Sequence, residues 1–328
     1  MTTSIAVIGA GFAGLSCASR LTELGHTVHV FEKSRGASGR VSTRALAEGH
    51  CDHGAQYITA LHPDFQKVVR KWESDGLLRI WQPRLAVIGP KAPGKEDEQT
   101  SSMVRYVGAP KMTSPAQAIA KTLNVFPNTK ITKIERSAPG WRLIDEHGRN
   151  AMDATHLVFA IPPAQIALIL NDETPQWATT AKTAMMLPCW TLMAFVSDAN
   201  TPDFDAAFIN EGPLSWIANN ASKPGRDTLP IWTVHATAEW STAHINATAE
   251  QAAPALIAEF ERITGLQVTS STPHRWLYAR AEYPTDDCYL WDDTLHIGAT
   301  GDWLLQGNVE GAWLSGRWCA ECIHLQKR

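Results

Sequence analysis

Residues 4–40 read SIAVIGAGFAGLSCASRLTELGHTVHVFEKSRGASGR, and they carry the strongest structural signal in the chain. Residues 5–8 are an unbroken apolar run, which predicts a short parallel strand buried on both faces. Apolar residues then recur at helical spacing over 13–24, and a β-rich run over 27–31 ends at Glu32. Between the first strand and the helix lie three glycines in G-x-G-x-x-G spacing: Gly9, Gly11 and Gly14. This order predicts a Rossmann-type nucleotide-binding unit.

Each part of that unit has a physical reason. Gly9 allows the tight strand-to-helix turn, Gly11 lets the backbone approach a pyrophosphate, and Gly14 lets the helix pack closely on the strand. The helix N-terminus offers unpaired N–H groups and a partial positive charge to phosphates. Glu32 lies 18 residues after Gly14, where a carboxylate accepts hydrogen bonds from the adenosine ribose hydroxyls. The motif predicts a bound dinucleotide, but by itself it does not choose between NAD and FAD.

The residues after the second strand choose between them through a resemblance. Gly36, Gly39 and Arg40 resemble the G-G-x-x-x-R-type extension of glutathione-reductase-like FAD proteins of the amine oxidase kind. Residues 52–57, Asp-His-Gly-Ala-Gln-Tyr, resemble the D-x-G-A-x-x segment beside the flavin in that family. The resemblance implies FAD as the cofactor. It also implies that Arg40 lies near the phosphates and that residues 54–57 lie close to the isoalloxazine.

Composition excludes several other classes of protein. The length of 328 residues suits two domains, and 44% apolar with 19% charged residues is ordinary for a soluble globular protein. A net charge of −4 gives no electrostatic footprint for DNA, RNA or an anionic membrane. No apolar stretch approaches the roughly 18 residues that span a bilayer, and no basic segment precedes the first apolar run, so no secretion signal is expected. We therefore expect a cytoplasmic protein.

The cysteines agree with that location. Six scattered cysteines fit a reducing compartment. Cys319 and Cys322 form a C-x-x-C pattern, but it falls inside a predicted C-terminal helix and has no second pair. Core packing is therefore expected for these two residues, and no metal site is expected.

The middle of the chain departs twice from β-α-β alternation. Residues 58–105 contain a predicted helix and strands, and the polar, Gly- and Pro-containing stretch 89–102 predicts an exposed connection. Residues 171–284 contain alternating runs that predict a mixed sheet, covered by a helix at 250–264. The expected fold is α/β, a Rossmann-type FAD-binding domain (glutathione-reductase-like) with an inserted α+β substrate domain. The FAD-binding domain is expected at 1–57, 106–170 and 285–328, and the substrate domain at 58–105 and 171–284.

A second cofactor motif lies near the C-terminus. Residues 295–300 predict a buried strand, and Gly-Asn-Val-Glu-Gly at 307–311 opens a predicted helix, as in the closing FAD motif of the family. The resemblance implies that Asp302 meets the ribityl chain or pyrophosphate. It also implies that the helix start at Val309 faces the flavin N1–C2=O edge, where its dipole stabilises negative charge on reduction. By the same resemblance Ile131 lies against the adenine. The full set expected to hold FAD is Gly9, Gly11, Phe12, Ala13, Gly14, Glu32, Lys33, Gly39, Arg40, Gly54, Ala55, Gln56, Ile131, Asp302 and Val309.

Three absences separate the chain from typical flavin amine oxidases. Those enzymes usually place a lysine near flavin N5, on the segment that returns from the substrate domain, and residues 224–326 contain no lysine. Cys288 is off the pattern of the cysteine that attaches FAD in monoamine oxidases, so non-covalent FAD is expected. The paired tyrosines of an amine-recognising cage are missing where Trp303 follows Asp302. With a single dinucleotide fingerprint, electrons are expected to come from a substrate docked on the flavin and to leave to O2 or another acceptor.

Over essentially its whole length the chain resembles the renalases, particularly the bacterial ones. The shared segments include the fingerprint with Arg40, the Asp-His-Gly-Ala-Gln-Tyr segment, Pro188-Cys189-Trp190, Trp232-Thr233-Val234-His235-Ala236, Trp240-Ser241, Arg275-Trp276-x-Tyr278-Ala279 and the closing motif. Renalases have the amine oxidase fold but oxidise the 2- and 6-dihydro isomers of NAD(P)H. The resemblance implies an FAD-dependent oxidase that takes a hydride from these isomers onto flavin N5. The products are NAD(P)+ and, with O2, hydrogen peroxide.

Such a substrate becomes aromatic by losing a hydride, so it needs a flat slot and hydrogen bonds to its carboxamide rather than a strong base. Candidates for the polar role are Gln56, Tyr57 and His235, and candidates for stacking are Trp190, Trp232 and Trp303. Arg275 is expected either to meet substrate phosphate or to form a structural ion pair. A flavin-containing amine oxidase remains the main alternative. A flavin-binding protein without turnover and a hydroxylase also remain open.

Overall fold

The computed structural model describes residues 4–47, 49–90, 103–138, 140–170, 175–197, 202–285 and 287–326. Most of the connection expected at 89–102 lies outside these residues. The strands are β1 Ser4–Ile8, β2 Thr27–Phe31, β3 Thr43–Ala45, β4 His50–Asp52, β5 Leu78–Trp81, β6 Leu85–Ile88, β7 Arg105–Gly108, β8 Asn124–Phe126, β9 Ile131–Arg136, β10 Trp141–Asp145, β11 Asn150–Ala154, β12 His156–Phe159, β13 Met186–Val196, β14 Ala206–Ile209, β15 Leu214–Asn219, β16 Ile231–Ala236, β17 Val268–Ala281, β18 Leu290–Asp292 and β19 Ile297–Ala299. The helices are α1 Phe12–Glu23, α2 Pro63–Ser74, α3 Ser114–Ala120, α4 Pro163–Leu170, α5 Ala178–Thr183, α6 Ala238–Ala243, α7 Ala249–Thr264 and α8 Val309–Leu325.

A six-stranded sheet forms the centre of the half that contains the N-terminal glycine motif, in the order β18-β19-β12-β1-β2-β8. All its pairings are parallel except β18 with β19. Successive residues of β1 serve opposite cores: Ile5 and Val7 pack with α1 and α8, whereas Ala6 and Ile8 pack towards β9–β11. The apolar run at residues 5–8 is therefore buried on both faces, as a central parallel strand requires.

Two layers cover this sheet. On one side α1 and α8 pack so closely that a Cβ on Gly316 of α8 would overlap the Ala13 carbonyl of α1. On the other side lies the antiparallel meander β11-β10-β9. Its buried Trp141 donates from Nε1 to the Leu295 carbonyl, at 2.9 Å, which ties the meander to the strand β19 region. The carboxyl end of β1 and the start of α1 line a cleft.

The inserted half contains a second six-stranded sheet, in the order β17-β13-β16-β15-β14-β6. It is mixed, because β14 and β6 run parallel while the other neighbours are antiparallel. The amphipathic helix α7 covers it through Leu256 and Phe260, which are fully buried. A capping box at Thr248 and Gln251 starts this helix, and Gly265 in the left-handed conformation ends it.

The structure confirms the expected fold class, an α/β Rossmann-like unit joined to a mixed sheet. Several elements differ from the sequence-based expectation. The strands β8 and β14 and the helix α4 were not predicted. In the part of the chain that the structure describes, no helix is both long enough and apolar enough to cross a bilayer.

Candidate active site

A cleft of about 1920 Å³ lies between the two sheets. One wall comes from the β1–α1 turn, the segment after β2 and residues 53–57, and the other comes from β15, β16 and β17. Single-ligand pockets usually measure about 300–1,000 Å³. The cleft therefore has room for a dinucleotide and a second molecule.

The glycines of the fingerprint shape the near end of the cleft. Gly9 has φ +108°, and a Cβ there would overlap the Ala160 carbonyl. A Cβ on Gly14 would overlap the Gly9 carbonyl, so Gly14 sets the distance between helix and strand, as predicted. Gly39 has φ +59°, and a Cβ there would lie 3.2 Å from Gly11 Cα. Backbone without side chains thus surrounds the N-terminus of α1, where pyrophosphate is expected to bind.

Glu32 occupies the position expected for a ribose-binding acid. It is 7% exposed and lies at the end of β2 in the cleft wall. Its Oε2 accepts a hydrogen bond from Ala10 N at 2.8 Å, and its Oε1 accepts from Ser34 N at 2.8 Å. These bonds fix the carboxylate and leave lone pairs on its oxygens for a ligand. Ile131, at the start of β9, and Lys33 line the same end of the cleft.

Arg40 and Asp302, which were expected to contact the cofactor separately, contact each other. Arg40 Nη1 donates to Asp302 Oδ2 at 2.9 Å, and Arg40 Nη2 donates to Asp302 Oδ1. Arg40 Nη1 also donates to the Ala279 carbonyl at 3.1 Å. Both side chains line the cleft beside Val309, the first residue of α8. The N-terminus of α8 therefore opens into the cleft next to a bidentate ion pair that joins the two ends of the chain.

The segment at residues 54–57 lines the cleft beyond Arg40. Gly54 must be glycine because a Cβ there would overlap the Arg40 carbonyl. Gln56 Nε2 donates to Asp52 O at 2.8 Å and to Gly54 O at 3.0 Å, while its Oε1 accepts from Lys223 Nζ at 3.0 Å. Both N–H groups of this amide are thus used inside the protein. Gln56 was expected to hydrogen-bond a substrate carboxamide, and in this arrangement its amide has no N–H group left to donate to one.

Tyr57 belongs to a cluster of aromatic side chains with Trp81 and Trp216. Its ring centroid lies 5.7 Å from that of Trp216 and 6.4 Å from that of Trp81. Tyr57 and Trp216 line the cleft, whereas Trp81 is buried behind them. Trp216, which was not among the predicted stacking residues, therefore offers an indole to the cleft.

Three imidazoles and one indole form one patch of the cleft lining, the histidine wall: His53, His235, His274 and Trp276. His235 Nε2 lies 3.3 Å from the His53 carbonyl, which also accepts from Trp276 Nε1 at 3.0 Å. The His53 ring stacks on Trp276 at 5.0 Å and meets His274 edge-on at 4.9 Å. Burial lowers the pKa of His53 to about 3, with further lowering by His274 and Arg44, and burial lowers the pKa of His235 to about 4. Both rings are therefore neutral at pH 7. Within the described ranges, His53 Nδ1 has no hydrogen-bond partner.

Two predicted stacking residues are placed elsewhere. Trp190 and Trp232 are 3% and 2% exposed and belong to the core between the second sheet and α7. Trp190 donates from Nε1 to the His244 carbonyl at 3.0 Å, and Trp232 packs on Phe260 at 5.7 Å between ring centroids. These contacts correct the expectation that the two indoles stack on substrate. Trp303 is 1% exposed and contributes to the cleft wall.

Arg275 lines the cleft but is committed to structural contacts. Its Nη1 donates to the carbonyls of Ile245 and, at 3.3 Å, Ala247. Its guanidinium carbon lies 5.4 Å from the centre of the Trp190 ring. Arg275 was expected either to bind substrate phosphate or to form a structural ion pair. The observed contacts are structural, but the partners are carbonyl groups and an aromatic ring instead of an acid.

Sequence reasoning missed a buried charged group behind Gln56. Lys223 and Arg226 both contact Asp52 Oδ2, at 3.3 Å and 2.7 Å. The only signal in the sequence is the Lys-Pro-Gly-Arg run at 223–226, and such a turn is usually solvent-exposed. Lys223 lies one residue before the lysine-free segment 224–326.

Known proteins match parts or all of this architecture. The family described as an NAD(P)-binding Rossmann-like domain matches residues 7–72. A putative flavin-containing monoamine oxidase, AofH of Mycobacterium tuberculosis, is 44% identical over 57 residues, which are 17% of this chain and 13% of that protein. The chain thus matches only a small part of the length of this curated relative.

Two solved structures are similar over nearly the whole chain. A putative protoporphyrinogen oxidase from Exiguobacterium sp. 255-15 has a TM-score of 0.78 at 12% identity and covers 99% of both chains. A putrescine oxidase variant with redesigned cofactor binding has a TM-score of 0.73 at 14% identity and covers 98% of both chains. At these identities the likeness establishes a shared fold.

Proposed function

We propose that this protein is a renalase-like, FAD-dependent oxidase that takes a hydride from 2- or 6-dihydro isomers of NAD(P)H. It would release NAD(P)+ and, with O2, hydrogen peroxide. Flavin is supported by the fingerprint, by the closing motif at α8 and by the similarity to a protein named as a putative flavin-containing monoamine oxidase. As part of the proposal, residues 1–57, 106–170 and 285–328 form the FAD-binding domain, and 58–105 and 171–284 form the substrate domain.

The geometry of the cleft also fits FAD, independently of the similarity to known proteins. Bare backbone at Gly11 and Gly39 leaves space for a pyrophosphate at the N-terminus of α1, and Glu32 offers fixed carboxylate oxygens to a ribose. The start of α8 at Val309 offers N–H groups to the isoalloxazine. FAD would supply the hydride acceptor and the centre that reacts with O2. We also propose that FAD is bound non-covalently, because Cys288 is off the pattern of the cysteine that attaches FAD in monoamine oxidases, and that the protein is cytoplasmic, which its six scattered cysteines fit.

The uncharged histidine wall is the observation that carries the choice of substrate. Neutral His53 and His235 can exchange hydrogen bonds with a carboxamide but offer no countercharge to an ammonium group. Two of the four acids that line the cleft are paired with arginines: Asp302 binds Arg40, and Glu211 binds Arg262. An uncharged planar amide therefore suits this wall better than a protonated amine.

The charge along the cleft supports a nucleotide substrate. Its described lining contains six Lys and Arg residues against four Asp and Glu residues, although the whole chain has net charge −4. The basic set is Lys33, Arg35, Arg40, Lys130, Arg275 and Arg280, and the acidic set is Glu32, Glu211, Glu239 and Asp302. This local excess of positive charge favours phosphate-bearing ligands.

The protein's own part in the reaction is then mainly positioning. Tyr57 and Trp216 would hold a flat ring, and the histidine wall would orient its carboxamide. No residue needs to remove a proton, because loss of a hydride alone makes the dihydronicotinamide ring aromatic. The neutral state of His53 and His235 agrees with a reaction that uses no strong base.

An anaerobic bleaching experiment tests the proposal. The purified yellow protein is mixed in a stopped-flow instrument with 2-dihydroNAD, 6-dihydroNAD, their NADP counterparts or ordinary NADH. We expect rapid loss of flavin absorbance with at least one 2- or 6-isomer, slow loss with NADH, and one hydrogen peroxide per NAD(P)+ on admission of air. Absence of rapid bleaching with every isomer would rule out this substrate class.

An amine oxidase remains the second candidate, because the fold is shared with putrescine oxidase and the N-terminal segment resembles a monoamine oxidase. Anaerobic mixing with putrescine, benzylamine and N-methylated amines tests it in the same instrument. Bleaching by an amine at a rate comparable to that of the dihydronicotinamides would favour this candidate. We expect amine rates at the background level.

A further inference from the structure

A buried charged cluster lies directly behind the cleft wall and consists of Asp52, Gln56, Lys223 and Arg226. The side chains of Lys223 and Asp52 are 0% exposed and that of Arg226 is 2% exposed. Arg226 donates to Asp52 Oδ2 from Nε at 3.0 Å and from Nη2 at 2.7 Å, and Lys223 Nζ lies 3.3 Å from the same oxygen. One carboxylate therefore faces two basic side chains, and with both of them protonated the three groups carry one excess positive charge.

The groups packed around this cluster do not neutralise the excess. Burial raises the pKa of the Cys51 thiol to about 12, so the thiol stays protonated. Burial would raise the pKa of Asp52, but Lys223 and Arg226 outweigh that effect and hold it below its ordinary value. Burial lowers the pKa of Lys223, and the Asp52 carboxylate opposes the shift. The other recorded partners of Lys223 Nζ are neutral: Gln56 Oε1 and the Trp81 ring, whose centroid is 5.6 Å away.

Holding the chain together does not require the second cation. Asn220 already joins the segment after β15 to the strand β4, because its Oδ1 accepts from Asp52 N and its Nδ2 donates to His50 O, both at 3.1 Å. Arg226 alone would leave Asp52 in a paired, neutral state. Burying a further ammonium group costs desolvation energy that its hydrogen bonds repay only in part. Departures of this kind from the most stable arrangement are expected at functional sites.

Gln56 connects the excess charge to the cleft. Lys223 Nζ donates to Gln56 Oε1 at 3.0 Å, and Gln56 Nε2 donates to Asp52 O at 2.8 Å and Gly54 O at 3.0 Å. The amide therefore has one orientation, with its oxygen on the ammonium group. Gln56 lines the cleft within the segment proposed to lie beside the flavin. The positive charge is thus one hydrogen bond behind the cleft surface.

We propose that Lys223 is a positioning residue that, through Gln56, makes this wall electropositive and thereby favours the reduced, negatively charged form of bound flavin. This inference rests on the proposed FAD site but not on the identity of the substrate. A unit charge acting across one side chain, at an effective dielectric constant of about 20, changes such an equilibrium by about tenfold. For a two-electron couple, a tenfold change corresponds to about 30 mV.

The experiment measures the reduction potential of the flavin in the holoenzyme, by slow enzymatic reduction against a dye of known potential. No dihydronicotinamide is needed. Lys223→Met should make reduction at least tenfold less favourable, a drop of about 30 mV, and Lys223→Arg should restore most of the wild-type potential. Because Arg226 still pairs with Asp52 after the substitution, we expect K223M to fold. Lys223→Gln removes the same charge and repeats the measurement if K223M does not accumulate.

Arg226→Met is the matched control. It removes one cation from the same carboxylate and also leaves a neutral pair, but Arg226 does not contact Gln56 in the described structure. We expect a clearly smaller drop in potential than in K223M. An unchanged potential in K223M and K223Q, or an equal drop in R226M, would overturn the proposed route through Gln56. Purification of a protein that binds no flavin would instead contradict the proposed function.

Discussion

At the scale of single residues, His53 and His235 link the candidate site to the pH dependence of stability. Their pKa values are lowered to about 3 and about 4 by burial, whereas an unperturbed histidine has a pKa of about 6.5. Below pH 6.5 the unfolded chain therefore binds protons that the native chain does not. As the pH is lowered from 6.5 towards the pKa values of the folded state, the free energy of unfolding decreases. From these two groups we expect a loss of about 2 kcal/mol between pH 6 and pH 5, measured by urea unfolding.

The variant His235→Gln isolates one of the two contributions. Glutamine does not titrate, and its amide can still donate to the His53 carbonyl that His235 contacts at 3.3 Å. We expect the loss between pH 6 and pH 5 to be smaller by about 1 kcal/mol in this variant. An unchanged loss would show that His235 is not one of the groups that bind a proton on unfolding.

Single residues also show where sequence reasoning succeeds and fails. The roles of Gly9, Gly14 and Glu32 follow from a local motif, because neighbours in sequence supply the geometry, and the structure places them as the motif requires. The roles of Gln56 and Lys223 depend on a contact between residues 167 positions apart. Gln56 was a candidate ligand for substrate because it is polar and lies in the segment that resembles the one beside the flavin. No local pattern indicates that Lys223, which follows β15, donates to the Gln56 amide oxygen.

At the scale of secondary structure, the contact between α1 and α8 depends on one glycine. A Cβ on Gly316 would overlap the Ala13 carbonyl and lie 3.0 Å from Cys17 N. Ser16 Oγ also donates to the Trp313 carbonyl at 2.7 Å across this contact. We expect Gly316→Ala to lower the free energy of unfolding by about 1–3 kcal/mol, because separating the helices outweighs the better helix propensity of alanine.

Gly36→Ala is the control for that substitution. A Cβ added at Gly36 would have no atom within 4 Å, so this substitution should change the free energy of unfolding of the protein by less than about 0.5 kcal/mol. Both variants are measured by urea unfolding at pH 7. Equal stability of G316A and wild type would mean that the two helices can separate without cost.

Elements were predictable in proportion to their periodicity. The helix α7 shows the 3.6-residue pattern with a capping box, and it was expected at 250–264 against the observed Ala249–Thr264. The strand β17 is fourteen residues long but contains Pro273 and is mostly half-buried, so it shows no clear alternation of period two. The three-residue strand β8 is too short to carry a pattern, and it is ordered by pairing with β2.

At the scale of the whole molecule, the two ends of the chain meet around the cleft. Arg40 binds Asp302, and the carboxylate of Glu310 accepts hydrogen bonds from Leu61 N at 2.8 Å and His62 N at 2.5 Å. The first helix and the last helix pack directly on each other. Because each end supplies part of the cleft, a dinucleotide bound there would contact segments that are about 260 residues apart in sequence.

A ligand that joins such distant segments stabilises the native chain as a whole, and non-covalent FAD should therefore act as a stabiliser that can be removed and restored. Acid precipitation should leave a colourless pellet and release all flavin into the supernatant. After gentle removal, FAD added at 100 times its dissociation constant should stabilise the chain by about 2.7 kcal/mol. For 328 residues this corresponds to a rise in Tm of about 4 °C.

Riboflavin, which lacks the phosphates and the adenosine that the α1 turn and Glu32 are expected to hold, should produce a much smaller rise. A yellow pellet would show covalent attachment, and equal rises with FAD and riboflavin would show that the N-terminal fingerprint takes no part in binding.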